Sequence, residues 1–122
     1  MSAASAARVQ LVDTLQGRIA ILRRDLATVR AENPARGFVV MCEDVPLCFD
    51  VAGGRAANPT PAGTPGAATH FSYADAVTVA ATVTNGNGIE GIAVHVSVAT
   101  AAALQSTREV LVLALTNGHP RD

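Results

Sequence analysis

The chain has 122 residues, of which 49% are hydrophobic and 16% charged, which suits one folded domain of ordinary size and excludes a chain disordered throughout. Its basic residues are nine arginines and no lysine, and ten acidic residues leave a net charge of -1. Proteins that bind nucleic acid by displacing counterions normally carry a marked basic excess, so general DNA or RNA binding is not expected.

The sequence offers no sign of membrane insertion or export. No uninterrupted apolar run approaches the roughly 18 residues that a membrane span needs. Residues 1–8 lack the charged-then-apolar layout of a secretion signal. We therefore expect a cytoplasmic protein with no membrane contact.

The charge is distributed unevenly along the chain. Residues 1–36 contain six arginines and three acidic residues, whereas residues 37–122 contain three arginines and seven acidic residues. This polarity could attract a small anion or an acidic partner to the N-terminal part. The alternative is a solvated helix face without a ligand.

The first segment is predicted to form a helix from Ala3 to Glu32, stopped by Asn33 and Pro34. Its apolar residues alternate spacings of three and four, which is a heptad pattern, at Val12, Leu15, Ile19, Leu22, Leu26 and Val29. This stripe could pack on the chain's own sheet, on a second copy, or on both. We favour both, and residues 1–33 are thus predicted to be an oligomerisation or anchoring helix. The predicted interface of a homodimer or higher oligomer consists of Leu15, Ile19, Leu22 and Leu26.

The remaining residues, 37–122, are predicted to form a small α+β core that begins with a β-hairpin. Residues 37–42 and 45–51 are strand-like, and Glu43-Asp44 supplies the turn. Pro46 cannot donate to a ladder, which indicates that the second strand is an edge at that point. Cys42 and Cys48 are expected to be free, partly buried thiols, although a hairpin loop of three residues would let them face each other.

Residues 52–70 contain four glycines and three prolines and show no periodicity. A connection of this length is usually either a binding loop or a disordered linker. If it binds a ligand, its charged residue Arg55 and its last residue His70 are the candidates.

Three further elements follow this loop. Ser72 and Asp75 indicate a capped helix that ends at Asn85-Gly86. Residues 92–98 alternate as a third strand. A final helix from Thr100 to about Leu115 is closed by residues 116–118. The order α-β-β-α-β-α predicts an α+β fold with a three-stranded, mainly antiparallel sheet covered by helices.

The motif Gly86-Asn87-Gly88-Ile89-Glu90-Gly91 matches the spacing of a dinucleotide-binding loop. Such a loop needs a strand before it and a helix after it, and here the order is reversed. The segment is therefore a helix end and turn. The functional alternative is that the same segment forms an amide-rich turn in which Asn85 and Asn87 contact a ligand.

Catalysis, metals and cofactors are not indicated. The three histidines are scattered, and no set of cysteines and histidines has metal-ligand spacing. His95 paired with Cys42 or Cys48 is the remaining nucleophilic arrangement, and a structural histidine is the more common outcome for a strand residue. We expect a protein that is not an enzyme and has no cofactor.

Two other residues have both a structural and a functional interpretation. Phe71 precedes the predicted cap, where it could be a hydrophobic staple against Ala76 or Val77, or an exposed ring stacked on a base. Arg108 in the last helix could be an exposed charge or a phosphate-binding group.

An arginine-bearing N-terminal helix, a small three-stranded sheet, further helices and no catalytic signature together resemble the first-described Thoeris anti-defence family of phage proteins. Members of that family have an N-terminal anchoring helix, form dimers or larger oligomers, and hold cyclic ADP-ribose signals, in some cases cyclic oligonucleotides, without cleaving them. The resemblance covers most of the chain as an order of elements. It implies adenine stacking by Phe71, contacts from Asn85 or Asn87, and an arginine clamp from Arg108 and Arg55.

The leading interpretation is a non-enzymatic protein that sequesters a small anionic, cyclic nucleotide in the host-cell cytoplasm. The alternative is a protein-interaction module or inhibitor that acts through the N-terminal heptad helix.

Overall fold

The computed structural model describes residues 3–117, so Gly118 and His119 lie outside the described part. Within it the chain forms a mixed α+β fold with three α-helices and a four-stranded sheet. The elements in chain order are α1 (Ala3–Glu32), β1 (Phe38–Cys42), β2 (Val45–Ala52), β3 (Arg55–Pro61), a 3-10 helix (Pro65–Ala67), α2 (Tyr73–Asn87), β4 (Gly91–His95) and α3 (Val96–Asn117).

The sheet is antiparallel throughout, with the strands in the order β3-β2-β1-β4. The α+β class is confirmed, but the sheet has one more strand than predicted. The additional strand is β3, which lies inside the predicted loop 52–70. The turn Gly53-Gly54, with φ of 58° and 77°, folds β3 back onto β2, because two left-handed residues match the twist of a hairpin.

The position of β2 corrects a second expectation. Pro46 was expected to mark an edge, yet β2 lies between β1 and β3. The ladder between β2 and β3 ends at the pair Leu47 and Pro61. Pro46 lies one residue beyond that pair, and its carbonyl accepts a hydrogen bond from the Ala62 N–H at 2.8 Å, so its missing N–H falls at the end of the ladder and not within it.

The β1–β2 hairpin forms as predicted, with Glu43 and Asp44 as its two-residue turn. Both residues have left-handed backbones, with φ of 50° and 65°. Cys42 pairs with Val45.

The sheet has a core on each face. Helix α2 covers one face, over a cluster formed by Val40, Leu47, Phe71, Ala76, Ala80 and Val83. On the opposite face the start of α3 and the 3-10 helix pack against β1, in a cluster formed by Val39, Ala68, Val96 and Ala99. Successive residues of β1 therefore serve different cores, as strand alternation requires.

Helix α1 has the predicted bounds, and its heptad stripe packs against α3 of the same chain. Leu22 is fully buried, and Ile19 and Leu26 are buried beside it in a cluster with Leu104. Leu15 is half-buried. The side chains expected between copies are thus largely taken up inside one chain, because α3 is long enough to run antiparallel along α1.

Helix α2 begins as predicted: the Ser72 hydroxyl accepts a hydrogen bond from the Asp75 N–H at 3.3 Å. It continues two residues past the expected end, to Asn87. Gly88 closes it with φ of 70° and an N–H bond to the Thr84 carbonyl at 2.9 Å. The glycine motif is therefore a helix end that leads into a strand.

The boundary between β4 and α3 differs from the prediction. The strand ends at His95 and the helix begins at Val96, whereas the alternating pattern predicted a strand through Val98 and a cap at Thr100. The His95 Nδ1 atom accepts the N–H of Ser97 at 3.2 Å and so provides the cap. Thr100 is buried inside the helix.

Among residues 3–117, one helix is long and apolar enough to cross a membrane by length and composition alone. It is α3, whose segment Val96–Thr116 has a mean hydropathy of 1.3. The mostly buried core helix of a soluble protein passes the same test, but in α3 only 22% of the qualifying window is buried. Polar residues such as Arg108 and Glu109 interrupt it, and its longest continuous apolar run is the six residues 110–115.

Candidate functional site

The structure does not bring the predicted ligand residues together. Phe71 is 6% exposed and belongs to the core under α2. Its N–H and carbonyl both bond to Phe38, at 2.7 and 3.0 Å, and its ring meets Phe49 edge-to-face at 5.8 Å. The stacking role is therefore wrong and the structural alternative, packing against Ala76, is the one observed.

The other predicted ligand residues lie at separate places. Arg55 is exposed at the first residue of β3, beside the Gly53-Gly54 turn, and Asn85 is exposed near the end of α2. The backbone of Asn87 ends α2, and its side chain lies outside the described part. The His70 Nε2 atom is 3.3 Å from the Pro65 carbonyl oxygen, so this ring contacts the 3-10 helix.

The two cysteines and His95 do not form a nucleophilic arrangement. Cys42 packs with the core under α2, whereas the Cys48 thiol donates to the Ala67 carbonyl at 3.3 Å on the other face. Both are free thiols. His95 contacts Ser97 and Pro34 through its two ring nitrogens.

Arg108 has a different set of neighbours from the predicted ones. It lies on the side of α3 that faces away from the sheet, across a groove from two arginines of α1, Arg23 and Arg30. We call this feature the arginine groove; its hollow of about 390 Å³ is lined by Arg23, Leu26, Ala27, Arg30, Ala101, Leu104 and Arg108.

Helical spacing explains why these side chains converge. Arg23 and Arg30 are seven residues apart, which places them on one face of α1 about 10 Å apart along its axis. Ala101, Leu104 and Arg108 follow spacings of three and four on α3. The antiparallel packing of α1 on α3 brings the two rows side by side.

The three guanidinium groups of the groove have no carboxylate partner within residues 3–117. The ion pair that the structure contains joins Arg24 to Asp25 at 3.7 Å, outside the groove. Glu109, the acidic residue next to Arg108, accepts a hydrogen bond from Gln105 at 3.1 Å. The groove therefore concentrates positive charge in a protein whose net charge is -1.

The floor of the groove is apolar. Leu26 and Leu104 are buried, and Ala27 and Ala101 beside them have side chains short enough to leave the hollow open. A guanidinium binds phosphate or carboxylate oxygens with two parallel N–H bonds. The arrangement suits a ligand that has anionic groups at its rim and an uncharged body over the floor.

A larger hollow lies on the sheet side of the same helix pair. Its volume is about 430 Å³, and its charged lining residues are Arg18 and Asp44. Arg18 is already engaged there, donating to the Gly63 carbonyl at 2.7 Å. This hollow therefore contains one carboxylate and one guanidinium group that already makes a hydrogen bond, and it is a weaker anion site than the arginine groove.

Of the three arginines that line the groove, the sequence analysis singled out Arg108 and did not single out Arg23 or Arg30. Their signal was present, because the N-terminal segment contains most of the arginines and the seven-residue spacing puts these two on one face. The sequence pattern does not indicate that α1 packs against α3.

Within residues 3–117 there is no group of three or more His, Cys, Asp or Glu side chains that could hold a metal ion. No family model, curated protein or solved structure matches the chain.

Proposed function

We propose that the protein is a non-enzymatic binding protein that sequesters a small anionic nucleotide in the arginine groove. The observation that carries the proposal is the convergence of Arg23, Arg30 and Arg108, free of carboxylate partners, around an apolar floor. A nucleotide combines these features, since its phosphates are anionic and its base and sugar are not.

The positions of the three arginines indicate which part of a ligand each would bind. Arg23 and Arg30 lie about two helical turns apart, so they favour a ligand with at least two phosphate groups or one diphosphate. Arg108 on the opposite wall closes the clamp. A compact cyclic nucleotide fits a hollow of about 390 Å³ better than an extended polymer does, in keeping with the resemblance to nucleotide-sequestering phage proteins. Its proposed place of action is the cytoplasm.

The test is a thermal-shift panel followed by calorimetry on the full chain. The ligands are cyclic ADP-ribose isomers, cyclic di- and trinucleotides, NAD and ATP. A ligand at 100 times its Kd stabilises the folded state by about 2.7 kcal/mol, which is a clear shift for a domain of this size. The bound compound, recovered by chromatography after incubation, is expected to be unchanged.

Two neighbouring arginines of α1 give a matched pair of variants. Arg23→Gln removes a groove charge, and Arg24→Gln removes the same charge from the residue paired with Asp25 outside the groove. We expect Arg23→Gln and Arg108→Gln each to weaken binding at least about tenfold, the loss of a charged hydrogen bond, and Arg24→Gln to leave it nearly unchanged. No shift with any of these nucleotides, or equal losses in all three variants, would overturn the proposal.

A further inference from the structure

The two edges of the sheet are built differently. On the β3 edge, Pro59 and Pro61 cannot donate to an added strand, and Asn58 has a left-handed φ of 56°. The adjacent ladder also shifts register between Cys48 and Asp50. Prolines and irregularities of this kind protect an edge from pairing with another chain.

The β4 edge has none of these protections. The strand Gly91-Ile92-Ala93-Val94-His95 contains no proline and no Asp, Glu, Lys or Arg. Its register with β1 is regular from the pair Phe38 and His95 to the pair Cys42 and Gly91. A regular, uncharged edge is the template on which a further strand adds.

The hydrogen bonds of β4 show which backbone groups face outward. The Val96 N–H donates to the Gly37 carbonyl at 2.6 Å, so by antiparallel alternation residues 92 and 94 bond to β1 and residues 91, 93 and 95 point away from it. The outward N–H of Gly91 is taken by the Thr84 hydroxyl at 2.8 Å. The outward N–H and carbonyl of Ala93 have no partner within residues 3–117.

Apolar side chains flank this open edge. Tyr73 is 60% exposed, Ile92 50% and Val77 44%. Between α2 and β4 runs a hollow of about 340 Å³ to which all three contribute. A strand added at β4 would form hydrogen bonds with the outward N–H and carbonyl of Ala93 and would also cover these apolar side chains.

We infer that the occupant of this edge is β4 of a second copy, paired antiparallel about Ala93. The two copies then share a continuous eight-stranded sheet, four strands from each, with the outward groups of Ala93 bonded to each other across a two-fold axis.

Charge favours this occupant. Pairing about Ala93 sets Glu90 of each copy opposite Val96 of the other, where α3 begins. Helix α3 has no acidic residue in its first turn, so its positive N-terminal end gains a carboxylate from the other copy. The two glutamates lie at opposite ends of the paired strands and do not repel each other at the centre. This interface is separate from the heptad stripe, whose central residues Ile19, Leu22 and Leu26 are buried inside each chain.

The experiment measures the mass of the full chain in solution by sedimentation equilibrium over a wide concentration range. The expected mass is twice the 12.4 kDa of one chain. Ile92→Lys places a charge on the half-exposed edge side chain and is expected to weaken association at least tenfold. Ala93→Pro removes the outward N–H and is expected to do the same, with circular dichroism reporting whether this variant is folded.

The matched control is the double variant Val110→Lys, Leu113→Lys, which charges exposed apolar residues of α3 away from β4 and is expected to leave the dimer intact. Hydrogen exchange of the Ala93 amide gives a readout without substitution, because that N–H becomes slower to exchange as protein concentration rises. A single-chain mass at every concentration would overturn the proposal. So would a dimer that survives Ile92→Lys, or one whose formation leaves exchange at Ala93 unchanged.

Discussion

The Nε2 atom of His95 lies 3.1 Å from the carbonyl oxygen of Pro34 and joins the end of β4 to the segment that follows α1. The other ring nitrogen, Nδ1, accepts the Ser97 N–H and lies 2.7 Å from the Ser97 hydroxyl. Because Nδ1 is the acceptor, the proton is on Nε2, which donates to Pro34. One imidazole thus caps α3 and ties two distant parts of the chain together.

We expect His95→Ala to lower the free energy of unfolding by about 1–3 kcal/mol, since it removes a helix cap and leaves the half-buried Pro34 carbonyl without its donor. His95→Asn is the control, because asparagine can cap the helix but is too short to reach Pro34. In urea unfolding, the free energy of unfolding of His95→Asn is expected to lie between those of wild type and His95→Ala. Equal stability of wild type and His95→Ala would contradict the role of this ring.

Thr100 is fully buried in α3, and its hydroxyl has no hydrogen-bond partner within residues 3–117. Thr107, about two turns further along the same face of the helix, is also buried, but its hydroxyl donates to the Ala103 carbonyl at 2.7 Å. Valine has the same shape as threonine without the hydroxyl. Thr100→Val is therefore expected to stabilise the protein by about 1–2 kcal/mol, because it removes an unsatisfied buried polar group.

The matched change, Thr107→Val, removes a hydroxyl that is satisfied and is expected to give no gain. Thermal unfolding of the two single variants makes the comparison. A loss of stability in Thr100→Val would mean that this hydroxyl has a partner after all.

Two leucines of α1 separate core packing from helix propensity. Leu22 is 0% exposed and Leu11 is 46% exposed. Because both substitutions replace leucine by alanine in the same helix, they change the intrinsic helix propensity equally. Leu22→Ala is expected to cost about 2–5 kcal/mol through the cavity it leaves against α3. Leu11→Ala is expected to stay within about 0.5 kcal/mol. Similar costs at both positions, measured by urea unfolding, would argue against the packing of α1 on α3.

Phe71 gives a prediction that distinguishes core from ligand site. Phe71→Ala is expected to cost about 3–5 kcal/mol of stability, because the ring is buried between Phe49 and α2. Phe71→Leu keeps most of the apolar volume and is expected to fold. Its affinity for a groove ligand, measured by calorimetry, is expected to equal that of wild type, since α2 and the arginine groove lie on opposite sides of the sheet. A selective loss of binding in the folded variant would restore the stacking role.

The parts of the fold that sequence patterns predicted are those governed by local chemistry. Helix α1 ends where Asn33 and Pro34 require it to, and the turn at Glu43-Asp44 and the Ser72 cap form where their residue types favour them. Strand β3 was missed because its prolines and the glycines of the turn before it are typical of loops, and only the adjacent strand β2 makes these prolines compatible with a sheet.

The candidate site was harder to predict because it depends on contacts between distant segments. Arg108 could be chosen by residue type alone, but its partners Arg23 and Arg30 are more than seventy residues away in sequence and meet it only because α3 packs along α1. The predicted boundary between β4 and α3 was wrong for a related reason. Valines at 94, 96 and 98 continue the strand alternation, and a side-chain cap from His95 overrides it.

The junction at His95 and Val96 has a mechanical consequence. Strand β4 passes into α3 with no residue between them, so the chain has no slack there to absorb a displacement. If the proposed ligand displaced α3 along its axis when it bound Arg108, the displacement would act directly on the backbone of the open sheet edge. Ligand affinity and strand pairing would then be thermodynamically linked, and by reciprocity each would change the other by the same factor.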